Sequence, residues 1–116
     1  MGYEVRLHAG FRETPVYYVA DPEETTDHEI DEAAEDLRLG PDLVRELVVW
    51  DEEFQATYNA DVPQDSDFSS PAQEGAWLER GRRLAARIHQ ESPVVTSVEY
   101  RGYGAIPSGA VVFADQ

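Results

Sequence analysis

Chemistry needs particular side chains at particular spacings, and the first candidates here are the three histidines, His8, His28 and His89. They share no common spacing: His8 falls in an alternating stretch, His28 in an acidic block, and His89 near the end of a helical pattern. No HExxH pair occurs, which excludes a helical zinc site of that kind. Ser108, in Ile106-Pro107-Ser108-Gly109-Ala110, is not held in a G-x-S-x-G elbow. Gly102-Tyr103-Gly104 lacks the third glycine, the following helix and the lysine of a phosphate loop, and reads as a hairpin tip. Asp61, Asp65 and Asp67 suggest calcium, but only Asp65-Ser66-Asp67 matches an EF-hand fragment, and the glycine and distant glutamate are missing. Carboxylate pairs are plentiful, as chance alone would make them in so acidic a chain. The expectation is a protein that is not an enzyme, with no catalytic residues, no cofactor and no metal.

What the residues can do is recognise. The formal net charge is −15, and all nine basic residues are arginine. Residues 1–67 contain nineteen acids and four arginines, and residues 68–116 contain five of each, so the whole excess sits in the first part. Such a surface is a poor match for nucleic acid or anionic lipid, which attract lysine and arginine. It is a good match for a basic protein, because opposite fields speed encounter and suppress wrong pairings. The competing reading is that the acidity serves solubility or salt adaptation.

Asp21–Asp36 is the densest stretch, with nine acids and no Lys or Arg. Its Asp27, Glu29, Asp31, Glu32, Glu35 and Asp36 are the first candidates for a partner-steering surface. Asp51, Glu52 and Glu53 come next, then Asp61, Asp65 and Asp67. Tyr17 and Tyr18 are adjacent on a predicted strand and must point to opposite faces, so one of them is exposed and can anchor a partner.

The elements that would position these residues follow from periodicity. Gly40–Asn59 places Leu43, Leu47, Trp50, Phe54 and Tyr58 at helical steps, with Pro41 suited to the first turn. This helix is the expected spine. Ser70-Pro71-Ala72-Gln73 has the form of a capping box and opens a second helix, with Ala76, Trp77, Leu84 and Ile88 facing the core. Gly81 in its middle calls for a close crossing with the spine helix. Arg80, Arg82, Arg83 and Arg87 can pair with Asp51–Glu53 across the two helices. In the acidic block, Ile30, Ala33, Ala34 and Leu37 predict a marginal helix capped by Thr26 or Asp27, weakened by like charges at i,i+4.

Tyr3–Ala9 alternates with Tyr3, Val5 and Leu7 on one side, and with Val16–Val19 it reads as a hairpin. Val94–Arg101 and Ala110–Ala114 read as strands of a second one. No cysteine occurs, which fits a reducing compartment, and no apolar run approaches the roughly 20 residues of a membrane helix. The expected fold is a single α+β domain over residues 1–116: a small antiparallel sheet of N-terminal and C-terminal hairpins, with two or three helices packed on one face.

One stretch also carries a resemblance. Leu47-x-x-Trp50-Asp51-x-Glu53-Phe54-Gln55-Ala56-Thr57-Tyr58-Asn59, then Pro63, Phe68 and Glu74, then Gly81-Arg82-x-Leu84-Ala85-x-Arg87-Ile88 resembles small actinobacterial proteins. Such small acidic proteins are similar to the immunity proteins of bacterial toxin systems. The resemblance implies a cytoplasmic inhibitor that binds and blocks a cognate toxin domain without a cofactor. It carries no site residues with it. The alternative from a different class is a homo-oligomeric structural or accessory protein with no heterologous partner.

Overall fold

The computed structural model describes residues 2–11, 14–18, 27–57, 68, 70–107 and 109–114. The opening alternation forms β1 (Tyr3–His8), with Val5 and Leu7 buried and Glu4 and Arg6 exposed on the other side. β2 (Val16–Tyr17) pairs with it antiparallel, Leu7 opposite Val16 and Arg6 opposite Tyr17. β3 (Asp27–His28) then pairs antiparallel with β2. Asp27 is therefore a strand residue and not a helix cap, because its backbone is engaged opposite Tyr17. The acidic helix α1 (Ile30–Asp36) begins after Glu29 with no side-chain cap. Thr26 lies outside the described residues.

α2 (Pro41–Gln55) buries Leu43, Leu47, Trp50 and Phe54 along one stripe, as the spacing predicts. Tyr58 is outside the described residues. α3 (Pro71–Glu91) is capped by Ser70, whose Oγ accepts from the Gln73 N–H at 3.1 Å. It buries Trp77, Gly81, Leu84, Ala85 and Ile88, while Ala76, expected in the core, is exposed. Gly81 is explained by proximity: a Cβ there would run into the Tyr100 hydroxyl and lie 2.6 Å from the Trp50 ring. The two tryptophans form a reciprocal clasp. Their rings stack at 4.3 Å, and each indole N–H donates to the other residue's backbone carbonyl, at 3.0 and 2.9 Å. Phe68 packs 5.2 Å from Trp77, fixing its part of the chain to this core.

β4 (Val95–Gly102) and β5 (Val112–Ala114) make the C-terminal hairpin. The sheet order is β3-β2-β1-β4-β5. The α+β class and both hairpins stand, but the sheet is mixed, not wholly antiparallel: β1 and β4 run parallel. The reason is the crossover. Three helices separate the two strands, so the chain returns to start β4 beside the start of β1, where the Tyr3 N–H donates to Val94 O at 2.7 Å. The register skips Thr96 and Arg101, so β4 buries Val95, Val98 and Tyr100 and does not keep a strict alternation. The buried side chains of the sheet join those of all three helices in one core. The opposite face keeps Glu4, Arg6, Tyr17, Ser97, Glu99 and Val112 around a shallow open depression.

Candidate partner-binding surface

α1 is anchored by Ala33 and, just past its end, Leu37, both fully buried. Its acids point outward: Asp31, Glu32 and Glu35, with Glu29 at the cap, are exposed, and Asp36 is half-buried. Among the described residues Glu29, Asp31 and Glu35 meet no cation. Asp36 accepts a hydrogen bond from the Tyr18 hydroxyl at 2.8 Å.

The expectation that the two tyrosines point to opposite faces holds, and burial removes Tyr18 from the anchor candidates. Tyr18 is 2 % exposed, a core residue stacked edge-on against Tyr3 at 5.5 Å, and offers a partner no surface. Burial first, then the Asp36 hydrogen bond and the charges of Asp36 and Glu32, push its hydroxyl well above the ordinary tyrosine value. Tyr17 is the outward one. It lies on the open sheet face with the Arg6 guanidinium 4.9 Å above its ring and His8 at 6.4 Å.

The second acidic group behaves differently. Asp51 is half-buried and accepts from Gln55 Nε2 at 3.2 Å, while the same amide donates to Gly10 O at 2.8 Å. Burial raises the Asp51 carboxyl above its ordinary range, Glu52 adds to the rise, and the Gln55 bond opposes it. Glu53 pairs with Arg80 at 2.6 Å, the expected bond across the two helices. Arg87 instead reaches Glu46 and Glu91, and Arg82 and Arg83 turn to Glu79 of their own helix. Of the three, only Glu52 is an exposed acid with no cation near it among the described residues. The chain between α1 and α2 is short, so Asp36 lies near the start of α2, and about 15 Å of helix separates that start from Asp51. Asp61, Asp65 and Asp67 lie outside the described residues, and Asp27 is described by its backbone alone.

The open face of the sheet escaped sequence reasoning. The alternation of Glu4, Arg6 and His8 marked one side of β1 as polar, but nothing local said that no helix among the described residues would cover it. Among the described residues, no group of three or more His, Cys, Asp or Glu is placed to hold a metal ion, and no helix is long and apolar enough to cross a membrane. The surface is suited to recognition by charge and by strand and side-chain contact.

Comparison with known proteins adds one finding. A model of a family described as Serratia CdiI immunity protein-like matches residues 3–102, which run from β1 to the end of β4. A search of curated proteins returned no match.

Proposed function

The chain belongs to the Serratia CdiI immunity protein-like family, and from that premise we propose that it is an immunity-type inhibitor, not an enzyme, acting in the cytoplasm without a cofactor. It neutralises a cognate toxin domain of basic surface by electrostatically complementary binding, and does not engage nucleic acid. The observation that carries the electrostatic part is the division of charge. Acids on α2 and α3 are largely matched by arginines, whereas Glu29, Asp31 and Glu35 are exposed and unmatched among the described residues. A net charge of −15 adds a long-range field that draws a cationic partner. α1 is thus the main steering surface, with Glu52 as a secondary contributor and Tyr17 as an anchor.

The test is titration calorimetry and stopped-flow mixing with the purified product of the neighbouring gene. Raising the salt from about 50 to about 200 mM, which roughly halves the Debye length, should lower the association rate several-fold. The variant Glu29→Gln/Asp31→Asn/Glu35→Gln should associate roughly tenfold more slowly at low salt. Binding that ignores both salt and the triple variant would end the electrostatic reading.

A further inference from the structure

The two edges of the sheet are unlike. β3 consists of Asp27 and His28 and lies within the acidic stretch of the chain. β5 consists of Val112, Phe113 and Ala114, and no charged residue occurs between Arg101 and Asp115. Edge strands are ordinarily guarded by charge, proline or a covering element, because their free backbone groups template pairing with another chain. β5 has neither charge nor proline.

The register shows what this edge offers. The Tyr100 N–H donates to Val111 O at 2.9 Å, and Val98 stands opposite Phe113. Backbone groups alternate in direction along an antiparallel ladder. Those of Val111 and Phe113 turn toward β4, so those of Val112 and Ala114 turn outward. Among the described residues nothing pairs with them. Phe113 packs on the core side, while the Val112 side chain is 50 % exposed on the open face near Glu99.

We propose that β5 is a docking edge, to which an extended strand of the cationic partner adds through the Val112 and Ala114 backbone. This rests on the inhibitor reading above. A second copy of the chain is disfavoured as occupant, since two molecules at −15 each repel. The same charge attracts a basic partner, and main-chain bonds at the edge then supply the register that long-range attraction cannot. The strand lies beyond residues 3–102, the part matched by the family model.

Amide hydrogen exchange measured by NMR, alone and with the purified product of the neighbouring gene, tests the edge directly. The Val112 and Ala114 amides should slow by about tenfold or more in the complex. Val112→Pro removes an outward N–H without touching the ladder to β4, and Val112→Lys adds a guarding charge. Each should weaken binding roughly tenfold. If Val112→Pro does not fold, Val112→Lys and the exchange data decide. Full-strength binding by the variants with unprotected amides overturns the docking edge and leaves the inhibitor reading standing. No binding by the parent chain removes that reading and the docking edge with it. A dimer of the parent that Val112→Lys dissolves in sedimentation gives the edge to a second copy and overturns the proposal.

Discussion

At the scale of single residues, Gly81 shows how a local anomaly reports a tertiary contact. A helical glycine forgoes about 1 kcal/mol against alanine. Here the space above it is taken by the Trp50 ring and the Tyr100 hydroxyl, and that hydroxyl in turn donates to Leu78 O at 2.8 Å. Gly81→Ala should therefore destabilise the fold by about 1–3 kcal/mol in urea unfolding, despite its better helix propensity. An increase in stability would refute the close crossing at this position. The titrating groups give two further tests. Tyr18 and Tyr100 both ionise above the ordinary value of 10.0 when folded, each chiefly through burial. The unfolded chain then loses their protons first, so stability is undiminished below pH 10 and falls as pH rises beyond it. Alkaline melting curves of Tyr18→Phe should show a shallower fall than the parent. Asp51 is raised above 3.8, so the folded state holds its proton to higher pH than the unfolded state does. Its charged form is a liability at neutral pH, and Asp51→Asn should raise the melting temperature there. The gain should vanish below pH 3.8; a gain that persisted there would assign it to something other than ionisation.

At the scale of elements, α2 and α3 were readable because each has a long stripe, an N-terminal proline and a distinct start. Their joint was only partly readable. The crossing at Gly81 follows from the sequence, whereas the reciprocal indole–carbonyl bonds between Trp50 and Trp77 depend on the angle at which the helices meet. Trp77→Phe should cost about 2 kcal/mol, through one lost bond and a poorly filled space. α1 is the opposite case. It has seven residues, no side-chain cap, and acids at Asp31/Glu35 and Glu32/Asp36 that repel one turn apart. Asp31→Asn/Glu35→Gln should hold or raise thermal stability by a few tenths of a kcal/mol while slowing association with the partner. Loss of both together would mark α1 as structural instead.

At the scale of the whole molecule, fifteen net negative charges act against compactness as well as for recognition. Added sodium chloride should raise the melting temperature of the free protein, by screening repulsion, and lower its affinity for a basic partner. Opposite signs for these two responses distinguish a functional field from acidity kept for solubility alone, which would move stability without touching binding. The mixed sheet also belongs to this scale, because parallel pairing of β1 with β4 brings the first and last thirds of the chain side by side.

Composition and periodicity determined the α+β class, the stripes of α2 and α3, the cap at Ser70 and the location of the charge excess in the chain, because each depends on neighbours within a turn or two. Which carboxylates would stay unmatched could not be read that way: Glu53 finds Arg80 and Glu46 finds Arg87 only after two helices have packed. The same holds for Tyr18 and Tyr17, whose choice of face is set by the sheet's register, and for the open sheet face and the β5 edge. Exposure is a property of what the rest of the chain leaves uncovered, and no local window contains that information.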